Sequence, residues 1–287
     1  MSSTINTNLA SLDAQRNLAM SQSSLAVSMQ RLSSGLRVNS AKDDAAGMSI
    51  AERMNAQVRG MNVAVRNAND GISLAQTAEG ALGQVSDALQ RMRELAVQAR
   101  NASNSNADKD SLDKEFGELA KEIQRVLGGT TFNGKHILGS QAGAQTFQIG
   151  ANTTSDDTID ITTSDMTQAT QITSVAGTDN TGAGRASIGS AATSSQIAGV
   201  IDKIDSAIDK VNSERATMGA SQSRFDNVIA NLQISIQNQT AARSRIMDAD
   251  FASETANLSR AQILQQAGNA MVAQANQLPQ QVLTLLR

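Results

Sequence analysis

The chain has no cysteine, no tryptophan and no tyrosine, and five phenylalanines are its only aromatic residues. Without thiols there is no disulfide framework and no thiolate metal site. A core so poor in large rings suits long helical seams of Ile, Leu, Val, Met and Ala better than a thick globular centre. Neither sign of charge is in large excess: 24 Lys and Arg stand against 27 Asp and Glu, for a net charge of −3. Binding to phosphates needs a basic surplus, so no nucleic-acid partner is expected. No run of eighteen apolar residues occurs, so no membrane insertion is expected. Residues 1–18 lack a basic leader and an unbroken apolar stretch, and no cleaved secretory signal is expected there. The chain then either stays in the cytoplasm or leaves by a specialised route.

The side chains that carry chemistry are equally sparse. His136 is the single histidine and has no HExxH-type spacing around it, so neither a metal nor a catalytic role is expected for it. Asp43-Asp44 sits where a helix start favours carboxylates, and capping explains it better than acid/base work. Gly182-Ala183-Gly184 is a lone GxG without a phosphate-binding frame and reads as a turn. Met54, Met61 and Met92 lie on a seam and read as core. No active site and no cofactor are expected.

What is present is helical periodicity. From Ile197, alternating steps of four and three pass through Ile201, Ile204, Ile208, Val211, Arg215, Met218, Gln222, Phe225, Ile229, Leu232, Ile236, Gln239 and Arg243 to Ile246, and eleven of these fifteen residues are apolar. The spacing predicts one amphipathic helix of about 75 Å with a narrow seam. A second seam runs from Met54 through Val58, Met61, Val65, Ala68, Ile72 and Ala75, then from Ala78 through Leu82, Val85, Leu89, Met92 and Ala96 to Ala99. It predicts a partner helix over 43–100, over-wound or bent where Gly71, Gly80 and Gly83 gather. Leu112, Phe116, Leu119, Ile123 and Val126 predict a shorter helix stopped by Gly128-Gly129, and Asn133-Gly134 a tight turn. Alternation at Phe147, Ile149, Ile159 and Ile161 predicts a hairpin over 145–163, with surface loop from there to Ser195.

The two ends are different. Leu9, Leu12, Leu18, Leu25, Met29, Leu32 and Leu36 follow Ile5 in a heptad-like pattern that slips near residue 20, and Gly35 ends it. From Ala261 to Leu286 there is no charged residue, yet Leu264, Met271, Leu278 and Leu285 recur every seven, paired with Ala261, Gly268, Ala275 and Val282. A solvated helix normally carries charges on its polar face, so this segment predicts a helix surrounded by protein, weakened or kinked at Pro279.

These stretches resemble bacterial flagellin. The resemblance is carried by Met1-Ser-Ser-Thr-Ile-Asn-Thr-Asn-Leu9, by Arg31-Leu-Ser-Ser-Gly-Leu-Arg-Val-Asn-Ser-Ala-Lys-Asp-Asp-Ala-Ala-Gly47, and by Leu89-Gln-Arg-Met-Arg-Glu-Leu-Ala-Val-Gln98. Phe132-Asn-Gly134, Ala270-Met-Val-Ala-Gln-Ala-Asn276 and Leu283-Thr-Leu-Leu-Arg287 also fit, so that 1–140 and 195–287 are covered. It implies a mostly α fold, an elongated bundle of long coiled-coil-like helices formed by both chain ends with a small β-hairpin and loop region in the middle. Residues 1–42 with 247–287 would form the inner-core helices, 43–140 with 190–246 the outer helical domain, and 141–189 a reduced surface region.

The function it implies is that of a structural subunit, exported unfolded and polymerised into the extracellular filament of the flagellum. Ile5, Leu9, Leu12, Leu264, Met271, Leu278 and Leu285 would pack the inner core. The implied partners are further copies of the chain, an export chaperone at the C-terminal segment, the hook-filament junction and cap proteins, and Toll-like receptor 5 of a host. For that receptor the matching positions are Gln90, Arg91, Leu95 and Glu115, with Arg91 and Leu95 one turn apart on one helix. The physics points the same way, because terminal seams left unsatisfied invite heterologous, non-closing contacts and open polymers. The rival readings are a hook-filament junction protein, a non-polymerising signalling coiled coil, and an enzyme hidden in 130–195. The signalling rod leaves the uncharged end unexplained, and the insert holds no catalytic cluster.

Overall fold

The computed structural model describes the backbone of residues 7–285 and the side chains of residues 7–277. In chain order come α1 (Leu9–Ser34), α2 (Ala45–Ala99), α3 (Asn106–Gly129), β1 (Thr131–Phe132), β2 (Lys135–His136), β3 (Ala144–Gln148), β4 (Thr158–Thr162), α4 (Thr170–Ala176), α5 (Ser194–Met247) and α6 (Phe251–Leu285). The fold is mostly α. Packing divides it into two units, one reaching to Ala56 and resuming at Gln237, the other spanning Gln57–Ile236. Both borders between these units fall inside long helices, α2 and α5.

Local chemistry sets the helix ends. The Asn8 side chain accepts from the Ser11 N–H at 3.1 Å to open α1, and Gly35 closes it in the left-handed conformation at φ 71°. Asp44 accepts from the Gly47 N–H at 2.8 Å at the start of α2. Ser105 and Asp108 form a reciprocal capping box before α3. Asn133 at φ 48° and Gly134 at φ 79° make the two-residue turn between β1 and β2.

In the Gln57–Ile236 unit the α5 heptad resolves into two columns. Ile197, Ile204, Val211, Met218, Phe225 and Leu232 are buried, whereas Ile201, Ile208, Arg215, Gln222, Ile229 and Ile236 are half-buried flankers. Facing them, the α2 seam is buried continuously from Ala75 to Ala99. Gly71 has a specific reason: a Cβ there would lie 2.8 Å from Phe225 Cζ, so the ring occupies the space that a side chain would need. Arg215 and Gln222 interrupt the apolar seam where Glu79 of α2 can meet them. Gln222 Nε2 donates to Glu79 at 2.9 Å, and the Arg215 guanidinium lies 3.8 Å from it. Such a polar layer favours one register of two long helices over its neighbours.

β3 and β4 pair antiparallel with Phe147 opposite Ile159 and Gln145 opposite Ile161, which is the expected hairpin. The stretch beyond it is not surface loop. Met166, Ile172, Val175, Ala176 and Ile188 are wholly buried, and Ile172, Val175 and Ala176 lie on α4. Their irregular spacing in a Thr/Ser/Gly-rich background gives no periodic signal, and a helix this short forms only on a prepared surface. That surface is α3, whose Gln124 donates its amide to the carbonyls of Gly177 and Thr167. At the other end of the chain, α6 continues without a break through Pro279 to Leu285.

Candidate functional site

α1 and α6 pair antiparallel. At one end Asn8 Nδ2 donates to the Ala275 carbonyl and Ser11 Oγ to Asn276 Oδ1, both at 2.7 Å. At the other, Arg31 Nη1 donates to Glu254 Oε1 at 3.0 Å, and the backbones of Leu36 and Asp248 form a bridge. Between these anchors the facing residues are largely small or polar. Ser11 and Ser28 of α1, with Ala261 and Ala275 of α6, are buried, and Gly268 lets Leu18 approach so closely that an added Cβ would lie 3.1 Å from Leu18 Cδ1. Leu18, Leu25, Leu32, Leu258 and Val272 are half-buried in the same seam.

The largest apolar side chains point elsewhere. Leu9, Leu12, Met20 and Met29 of α1, with Ile263, Leu264 and Met271 of α6, are exposed by between 50% (Leu264) and 66% (Ile263). One exposed leucine means little, but rows of them along two paired helices mark a surface meant to be covered. Met20, Val27 and Leu264 share a groove of about 760 Å³ that closes towards Arg31 and Glu254. Of the residues expected to pack an inner core, Leu9, Leu12, Leu264 and Met271 are thus uncovered within the chain. Ile5 lies outside the described residues, as do the side chains of Leu278 and Leu285. Met20, Val27 and Ile263 were not expected on this face. For Met20 and Val27 the slip near residue 20 was the signal, because it marks where the outward stripe of α1 diverges from the Leu18, Leu25, Leu32 column; nothing in the α6 pattern singles out Ile263.

The positions expected to meet a receptor separate in the structure. Gln90, Arg91 and Glu115 are exposed, and the Arg91 guanidinium bonds Glu115 at 2.8 Å and Glu94 at 2.9 Å. Leu95 is 0% exposed. It belongs to the core with Met92 and Ala96, so it supports the helix that carries Arg91 without presenting a surface of its own. Arg91 and Leu95 are indeed one turn apart, but the buried face of α2 here is broad enough to take in Leu95.

A carboxylate clamp holds the central segment to α3. Asp113 accepts from Arg185 Nη2 at 2.7 Å, from Ser187 Oγ at 3.0 Å and from the Ile188 N–H at 2.7 Å, while Asp110 accepts from the Ser190 N–H at 2.8 Å. Burial pushes the Asp113 carboxyl up, but the hydrogen bonds and charge of Arg185, with the Ile188 and Ser187 donors, outweigh it and hold the group below the usual carboxylate value. The Ser190 N–H lowers Asp110 likewise. A depressed folded pKa contributes stability that is present above the unfolded value, about 4, and is lost as pH falls through the folded one. Hydrogen exchange at the Ile188 and Ser190 amides should therefore accelerate below about pH 4, ahead of amides within α2, and Asp113→Asn should produce the same local opening at pH 7. Equal exchange in the variant and the parent chain at pH 7 would rule the clamp out. Among the described residues no group of three or more His, Asp or Glu side chains could hold a metal ion.

Comparison with known proteins matches this chain to one family. The model of the bacterial flagellin N-terminal helical region matches residues 5–143, and that of the bacterial flagellin C-terminal helical region matches residues 201–286. A flagellin of Halalkalibacterium halodurans is 43% identical, with 99% of each chain covered. Flagellins of Xenorhabdus nematophila and Serratia marcescens are each 42% identical over the whole of both chains. A crystal structure of Bacillus cereus flagellin is 34% identical, with a TM-score of 0.47, and the match covers 58% of this chain and 88% of that one.

Proposed function

Because this chain belongs to the bacterial flagellin family, it is a structural subunit of the flagellar filament, and we propose that it polymerises through the outward apolar faces of α1 and α6. The observation that carries this reading is the division of labour on those helices. In their mutual seam the buried residues are Ser11, Ser28, Ala261, Ala275 and Glu254, with Leu18, Leu25, Leu32, Leu258 and Val272 half-buried, while Leu9, Leu12, Met20, Ile263, Leu264 and Met271 are left largely to water. Covering what each such side chain still exposes is worth roughly 1–2 kcal/mol, so association with further copies would add substantially to the stability of this pair. Contacts between different faces of identical subunits give an open helical polymer wherever their rotation does not close into a ring.

The role is mechanical and not catalytic. The flagellar filament is extracellular, and the chain reaches it unfolded through the export channel. Before export, a chaperone covers the uncharged apolar stretch of α6. The hook-filament junction and cap proteins engage the same faces at the two ends of the polymer. A host Toll-like receptor 5 would meet Gln90, Arg91 and Glu115, the exposed members of its expected contact set.

Adding the purified chain to short filament seeds should give long tubes by negative-stain electron microscopy. A chain lacking 1–42 and 247–287 should give none while keeping its far-ultraviolet helical signal. Soluble rods from both would restore the signalling coiled coil as the better reading.

A further inference from the structure

The methionines of this chain are distributed unevenly. Among the described residues, Met20 and Met29 on α1 and Met271 on α6 are 55%, 56% and 63% exposed. Met61, Met92, Met166 and Met218, all in the Gln57–Ile236 unit, are buried, and Met48, Met54 and Met247 are half-buried. Every exposed methionine among the described residues therefore lies on the paired terminal helices. Met20 lines the groove beside Val27 and Leu264, with Asn17, Ser21 and Ser24 leaving it open to water.

We propose that Met20, Met29 and Met271 form an oxidation-sensitive gate on assembly: hydrogen peroxide reaching the free subunit converts them to sulfoxides, and the oxidised subunit no longer joins the polymer. The inference rests on the reading of α1 and α6 as the assembly faces. In each step a sulfur lone pair attacks one peroxide oxygen, the S–O bond forms and the O–O bond breaks. The departing hydroxide takes up a proton to leave as water, so the thioether is oxidised by two electrons and the peroxide is reduced by two. A thioether is apolar and flexible enough to fill irregular contacts between neighbouring subunits. Its sulfoxide is a strong acceptor, well solvated on the free chain but without a donor once buried against another copy. Oxidation at these sites therefore spares the fold and acts on association alone. The thioethers of Met92, Met166 and Met218 are shielded by the core, so the same dose leaves them intact.

The test is mild peroxide treatment of the full chain, with each methionine followed by peptide mass spectrometry and activity followed as seeded elongation. Met20, Met29 and Met271 should each gain one oxygen roughly tenfold faster than Met92 or Met218, and elongation should slow at least about tenfold with an unchanged melting curve. A mixture of the two methionine sulfoxide reductases should restore elongation. A Met20→Leu, Met29→Leu, Met271→Leu variant, compared with its own untreated elongation rate, should lose none of that rate to peroxide; if the variant does not assemble at all, the reductase rescue decides. Unimpaired elongation by fully oxidised subunits, loss without reductase rescue, or equal peroxide sensitivity in a competent triple variant would overturn the gate and leave the assembly reading standing. Failure of untreated chain to elongate seeds would overturn both.

Discussion

Leu264→Asp is expected to abolish seeded elongation while leaving the melting of the Gln57–Ile236 unit unchanged. Leu264 is 50% exposed in the free chain, so replacing it there loses little burial and costs at most about 0.7 kcal/mol of helix propensity. In the polymer the same position would be covered by a neighbouring subunit, and an aspartate there would be a buried charge without a partner. That penalty is several kcal/mol per ion, which raises the concentration needed for growth about a hundredfold or more. Leu264→Met keeps the volume and the apolar character and should elongate at nearly the parent rate. The measurement is tube length by electron microscopy against subunit concentration, beside a thermal melt by circular dichroism. Normal growth of the aspartate variant would remove this flank of α6 from the assembly surface.

The second large effect concerns the other unit. Phe225 is wholly buried, stacks edge-on against Phe147 with ring centroids 5.7 Å apart, and fills the space above Gly71. Phe225→Ala leaves a cavity and should cost roughly 3–5 kcal/mol, lowering the melting temperature by about 10 °C in a unit of this size. Gly71→Leu places new atoms where the ring already is and should cost about 1–3 kcal/mol through overpacking. The combined variant should be more stable than the sum of the two losses predicts, because the leucine grows into the cavity that the alanine leaves; a coupling of roughly 1 kcal/mol is expected for residues in direct contact. Strict additivity in the melts would mean that the close approach of α2 and α5 at this point is not what Gly71 is for.

Much of the architecture is legible without coordinates. The fifteen-residue ladder from Ile197 to Ile246 predicts α5, and in the structure none of its members is exposed. Apolar periodicity, caps such as Asn8 and Ser105, and turn chemistry at Gly35 and Asn133-Gly134 are local properties, and the chain carries them in short stretches of sequence. The flagellin resemblance is legible for the same reason, because it rests on uninterrupted runs such as Leu89 to Gln98. Residues 144–200 lie outside both family matches, and there, beyond the β3–β4 hairpin, local signals fail.

Tertiary structure decided three things. It ordered 163–190 through Asp113, Asp110 and Gln124, side chains far away in sequence that supply the donors and acceptors this segment cannot supply to itself. It withdrew Leu95 from the surface, because the number of partners around a helix, and not its period, sets how wide its buried face becomes. It also chose between two apolar columns on α6. Ala261, Gly268 and Ala275 have the same seven-residue repeat as Leu264 and Met271, so periodicity cannot rank them. The small column turns inward because only small residues permit the close approach that brings Asn8 and Ser11 to Ala275 and Asn276, and Arg31 to Glu254. The large column is thereby left exposed.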